Sequence, residues 1–218
     1  GRVGVIVAAD AERDMVCDRR ANARLSVEDI PEDVVAGAEW LHISGYVFLE
    51  EAPAKAARHS IEIACEAGVP VSVDPAAYSF IRALGRPTFL KLCEGATVIL
   101  PNLDEGHAMT GLEQPEDIAS CLFDHFPVVA LKLCADGCLG MARQWSGTGT
   151  AGIPTSEKGL VAAVRFAAVP TQVIDTTGAG DAFDAGFVLE YSRGAGLAAS
   201  LARANEMGAR AVSRIGAR

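Results

Sequence analysis

Short runs of β-branched and aliphatic residues alternate along this chain with longer stretches of helical period. That order dictates parallel βαβ units, because a parallel return to a sheet needs a crossover long enough to hold a helix. Strands are predicted at Val3–Ala8, Met15–Asp18, Trp40–Ile43, Val69–Val73, Thr97–Leu100, Val128–Leu133, Cys138–Arg143 and Val164–Ala167. Ala52–Ala67 reads as a helix, with Ala56, Ala57, Ile61 and Ala64 at helical spacing and Gly68 and Pro70 to stop it. Asp104–Thr110 is a second, ended by Gly111, and Pro115 opens a third that runs to about Asp124. The expected fold is a three-layer α/β/α core around a mostly parallel sheet. The opening segment differs, with two short strands about a polar turn and no helix between them, and reads as a small β flap. The predicted division is 1–25 as a partial β lid and 26–218 as the core.

Charge narrows the function. Nineteen basic against 28 acidic residues leave a net charge of −9, and Arg13, Arg19 and Arg20 are diluted by Glu12, Asp14 and Asp18, so nucleic acid is not expected as a ligand. No run of about 18 apolar residues occurs, so no membrane span is expected. The first residues already read as a strand, as though the chain began inside a domain. Six cysteines at irregular spacing in apolar surroundings suggest reduced core thiols and the cytoplasm.

Two glycine-rich segments compete for attention. Gly147 to Gly152 spells GxGxxG, but Ile153 and Pro154 follow in place of a helix, so the amides that would face a pyrophosphate are missing. Residues 146–158 read as an exposed loop. No Gly-Lys-Ser or Gly-Lys-Thr occurs. Asp175-Thr176-Thr177-Gly178-Ala179-Gly180-Asp181 is different, because a helical pattern begins there. Its turn lies at a helix N-terminus, where unpaired N–H groups and the positive dipole end attract an anion. Asp181 falls in the first turn and can take the proton of an attacking hydroxyl, as phosphoryl transfer requires.

The segment 175–181 resembles, at every defining position, the C-terminal signature of the ribokinase-like carbohydrate kinases, also called the PfkB family. The resemblance implies ATP-dependent phosphorylation of a hydroxyl of a small sugar or sugar acid, with Asp181 as catalytic base and the amides of Gly178, Ala179 and Gly180 as the anion hole. It also implies Mg²⁺ and, through Asp175, Thr177, Ala211, Arg214 and Gly216, a monovalent cation such as K⁺. Pro101 to Glu105 looks like the family's N-x-x-E element, which assigns Asn102 and Glu105 to Mg²⁺ and the phosphates, mostly through water. From the residues alone, Asn102 is a helix N-cap and Glu105 closes its capping box. Lys132, Gly137 and Asn205 fall where the family contacts the nucleotide. Leu41 to Tyr46 looks like the strand beneath the sugar, where His42 reads as a packed strand residue.

The resemblance covers nearly the whole chain but only the later part of the family pattern. Cys134 stands where the family has Gly, and Asp74-Pro75-Ala76-Ala77-Tyr78 stands where many members carry D-x-N-x-R. Two further readings remain open: a truncated kinase-fold protein that binds nucleotide or a partner without turnover, and a nucleoside or vitamin kinase of the same superfamily. Family analogy also suggests a homodimer through the lid.

Overall fold

The computed structural model describes residues 1–7, 13–143 and 161–216. The GxGxxG segment and the loop predicted at 146–158 lie outside them. Strands β1 (Arg2–Val7) and β2 (Arg13–Asp18) pair antiparallel in a sheet of their own, with Arg2 opposite Asp18. Val3, Ile6 and Val16 on this hairpin are exposed. A 3-10 turn at Arg20–Arg24, another at Val27–Asp29 and the short helix α1 (Glu32–Ala36) lead into the core.

The core sheet has six strands: β3 (Leu41–Ser44), β4 (Val71–Asp74), β5 (Val98–Ile99), β6 (Val128–Lys132), β7 (Cys138–Arg143) and β8 (Val161–Phe166), hydrogen-bonded in that order. β3 to β6 run parallel, and β7 and β8 close one edge as antiparallel neighbours. The parallel connections carry α2 (Glu51–Ala67), α3 (Tyr78–Leu84), α4 (Arg86–Leu92), α5 (Leu103–Thr110) and α6 (Pro115–Phe123). The last two helices are α7 (Ala179–Ser192) and α8 (Leu197–Val212).

Alternation along the strands divides the core into two. Ile43, Val71, Val73, Ile99, Val129 and Leu131 pack under α2 to α6, whereas Val98, Leu100, Val128 and Ala130 pack against Phe183, Phe187 and Leu201 of α7 and α8. Burial on both faces explains why β6 reads as an unbroken apolar run. At Gly186 an added Cβ would lie 3.0 Å from the Ala204 Cα, so the glycine lets α7 lie close against α8.

One expectation needs correcting. All six cysteines are free, but only Cys93 and Cys138 are buried, Cys121 is partly so, and Cys17, Cys65 and Cys134 are exposed. Apolar sequence neighbours do not bury a residue whose own position faces solvent.

Candidate active site

The carboxyl ends of the parallel strands gather the polar residues, the edge at which open α/β sheets bind ligands. Ser44 ends β3 opposite Asp74, the last residue of β4. After β5 the chain passes Pro101, whose carbonyl accepts the Lys132 N–H at 2.8 Å, and reaches Asn102, bridged to Lys132 at the end of β6.

Asn102 is the N-cap of α5. Its Oδ1 accepts the Glu105 N–H at 2.9 Å, and Glu105 Oε2 accepts the Asn102 N–H at 2.9 Å. This reciprocal box uses one Glu105 oxygen and leaves the other. Burial pushes the Glu105 carboxyl up to about 7, the Asp74 carboxylate adds to the rise, and Lys132 opposes it.

Lys132 Nζ lies 3.0 Å from Asp184 Oδ1 and 3.3 Å from Asp74 Oδ1. Only 13% of its side chain is exposed, and 3% of that of Asp184. Burial works against the ammonium, but the carboxylates of Asp184, Asp74 and Glu105 outweigh it and hold the Lys132 pKa above the ordinary lysine range. Burial raises the Asp184 carboxyl as it does that of Glu105, and Lys132 opposes both rises.

Asp184 belongs to α7, whose amino end arrives over this edge. Gly178 is the N-cap with φ +77°, a left-handed backbone suited to glycine, and no side chain caps the helix. By helix geometry the amides of Gly180 and Asp181 have no intrahelical acceptor. Asp181 is exposed, and its carboxylate makes no hydrogen bond or ion pair among the described residues. A 14-residue helix whose N-terminus no side chain occupies, beside an exposed carboxylate, fits a phosphate group.

The approach to α7 is pinned. Asp175 Oδ1 accepts the Thr177 N–H at 2.9 Å and Oδ2 the Gly216 N–H at 2.8 Å, while Val212 O accepts the Ile174 N–H at 2.8 Å. Asp175, Thr177 and Gly216 therefore meet, with Arg214 two residues before Gly216. The Ala211 carbonyl accepts the Ser213 and Arg214 N–H groups at the end of α8.

The remaining predicted residues are held by backbone contacts. Gly137 has φ +90°, and a Cβ there would fall 2.0 Å from the Phe166 carbonyl oxygen. Asn205 Nδ2 donates to Ala167 O at 2.7 Å, which fixes α8 to the end of β8. Cys134 adopts φ +53° in a short 3-10 turn beside them. His42 Nδ1 lies 2.8 Å from Ser72 Oγ, which also accepts Trp40 Nε1–H at 2.9 Å, so His42 is a hydrogen-bonded strand residue.

Among the described residues no group of three His, Cys, Asp or Glu side chains is placed to cage a metal. A concavity of about 470 Å³ lined by Trp40, Tyr191 and Arg193 lies at the opposite end of the sheet and does not border α7's first turn.

The pattern of the pfkB family carbohydrate kinases matches residues 2–218. The chain belongs to that family. An uncharacterized sugar kinase of Archaeoglobus fulgidus is 25% identical over 218 residues, which are the whole of this chain and 78% of that protein. An ATP-dependent ribose-1-phosphate kinase of Halopiger xanaduensis is 29% identical over 98% of this chain and 62% of its own length. The crystal structure of adenosine kinase from Sinorhizobium meliloti superposes with a TM-score of 0.81 at 25% identity, covering 100% of this chain and 62% of that one. The chain thus spans about three-fifths of some relatives and just over three-quarters of another. The ribokinase-like, three-layer fold with a mostly parallel sheet is established by these likenesses. Among the described residues, no helix is long and apolar enough to cross a membrane.

Sequence reasoning assigned no role to Asp184 and placed Asp74 only as the start of an atypical segment. A carboxylate between Phe183 and Phe187 on a buried helix face was the available signal, but its partner lies 52 residues away.

Proposed function

We propose that this protein phosphorylates a hydroxyl of a small sugar or sugar acid with Mg²⁺ and ATP. The observation that carries the reading is the exposed Asp181 in the first turn of α7, beside backbone amides that no side chain caps. Its carboxylate accepts the proton of the acceptor hydroxyl as that oxygen bonds to the γ-phosphorus and the bond to ADP breaks. The Gly180 amide, with those of Gly178 and of Ala179 once the Ala179 N–H leaves Thr176 O, 3.3 Å away, stabilises the charge on the transferred group. Mg²⁺, when bound, offsets phosphate charge, and Asn102 and Glu105 hold its water shell. Gly137 and Asn205 border the nucleotide, with the Lys132 charge beneath the phosphates. Asp175, Thr177, Ala211, Arg214 and Gly216 take a monovalent cation such as K⁺.

The hairpin of β1 and β2 acts as the lid of residues 1–25, excluding water and limiting wasted ATP hydrolysis. Its exposed Val3, Ile6 and Val16 and its free edges support pairing with a second copy. Six free thiols accord with the cytoplasm.

The test is ADP release with a panel of sugars, sugar acids and nucleosides. Turnover with a sugar or sugar acid supports the reading. Turnover with nucleosides alone replaces the acceptor class, as the likeness to the Sinorhizobium structure would favour. Nucleotide binding without turnover on any acceptor would favour a binding protein.

A further inference from the structure

The ammonium of a lysine that serves a phosphate must present its N–H groups to the ligand. Lys132 has three to give. They are directed at Asp184 Oδ1 at 3.0 Å, Asp184 Oδ2 at 3.3 Å and Asp74 Oδ1 at 3.3 Å, in a site where 13% of the lysine side chain is exposed. The nitrogen nonetheless lies directly below the phosphate cradle, for a Cβ built on Gly180 would sit 3.8 Å from it.

What those bonds join is informative. Lys132 ends β6, Asp74 ends β4, and Asp184 is one helical turn along α7 from Asp181. The back of α7 is fixed by close packing of Gly186 on Ala204. Its front lies beside α8, where a Cβ on Gly208 would come 3.6 Å from Ala179 O and 3.8 Å from Phe183 Cβ, and follows the turn that Asp175 ties to Gly216. Those contacts hold the amino end to α8 and to its own loop, and the Asp184–Lys132–Asp74 group ties that end to the strand edge. That end holds both the amides and the proposed base.

We propose that Lys132 is a positioning residue, an ionic clamp through Asp184 and Asp74 that fixes the first turn of α7 over the carboxyl edge of the sheet and so sets Asp181 against the phosphate amides. This rests on the kinase reading for its catalytic consequence, but the clamp itself does not. It also makes an unusual demand. If Lys132 served the phosphates directly, freeing it from Asp184 would leave activity intact or raise it. If it clamps, loss of Asp184 reproduces loss of Lys132.

The experiment compares wild type, Asp184→Asn, Lys132→Met and the double variant in the intact protein. Asp184→Asn is the milder change, since Lys132 keeps Asp74. Misplacement of a reacting group by about 1 Å costs on the order of 100-fold. The expected result is therefore a fall in kcat of about that size in each single variant, with the KM for ATP within about threefold, and no further loss in the double variant. Asp184→Asn with wild-type kcat, or a Lys132→Met defect confined to the KM for ATP, overturns the proposal.

Hydrogen exchange supplies a readout independent of turnover. The amides of Ala182, Phe183 and Asp184 bond to the carbonyls of residues 178–180 and report closure of the first turn. In Asp184→Asn they are expected to exchange at least about tenfold faster while those of α8 keep their rates. Uniform acceleration over the molecule, or none, contradicts a clamp. If the wild type turns over no acceptor, the kinase reading fails and the exchange result still decides the clamp.

Discussion

Asp184 and Asp181 lie one turn apart on α7 and face different worlds: Asp184 is buried and 3.0 Å from Lys132 Nζ, whereas Asp181 is exposed and makes no hydrogen bond or ion pair among the described residues. In the proposed reading, one carboxylate anchors the helix to the sheet and the other meets the substrate, within four residues of sequence.

Glu105 links stability to pH. Its carboxyl is raised to about 7 by burial and by Asp74, above the ordinary 4.5. Below 4.5 both folded and unfolded chains hold the proton and nothing is lost. Between 4.5 and 7 the unfolded chain releases it while the folded chain keeps it, so stability falls as pH rises and levels off above 7. The difference is about 3 kcal/mol. Glu105→Gln keeps an oxygen for the Asn102 N–H and should remove this slope. Urea unfolding of both proteins across that window should show their difference growing by about that amount, and a constant difference contradicts the assignment.

Cys134 occupies φ +53°, where a side chain is strained and glycine is not. Cys134→Gly should stabilise the protein by about 0.5–1 kcal/mol, after the added freedom of the unfolded glycine is set against the strain. The expected rise in Tm is roughly 1–4 °C. A lower Tm would show that the cysteine side chain supplies packing that outweighs its backbone.

Gly137 makes the opposite case. With φ +90° and the Phe166 carbonyl 2.0 Å from any Cβ, Gly137→Ala must push β8 away from the turn after β6. The cost should be about 3 kcal/mol, a Tm lower by roughly 6–12 °C. An unchanged Tm in differential scanning fluorimetry contradicts the close approach.

The parts of the fold visible in sequence are those set by local pattern. The predicted strand Cys138–Arg143 coincides with β7, and Pro115 opens α6 as its fixed φ favours. The Asn102–Glu105 capping box closes as its spacing requires. What pattern could not supply was long-range. Helices α3 and α4 were not singled out, because each has seven residues and Gly85, at φ +87°, divides them beside Pro87. Their stability comes from burying Ile81 and Phe89 and from the Arg86 guanidinium on Thr110 O at 2.7 Å, contacts that sequence order does not display. The site followed the same division. The glycine turn and Asp181 were legible, being one continuous segment, while the ionic group beneath them joins three chain segments 52 and 58 residues apart.

The central claim is that Asp181 removes the acceptor proton at the start of α7. Asp181→Asn preserves shape, helix start and the Lys132 contacts while removing the base. With the acceptor found by the panel, the kcat for ADP release should fall by at least about 1,000-fold, with Mg-ATP affinity and Tm near wild type. A variant that turns over within tenfold of wild type would contradict the account.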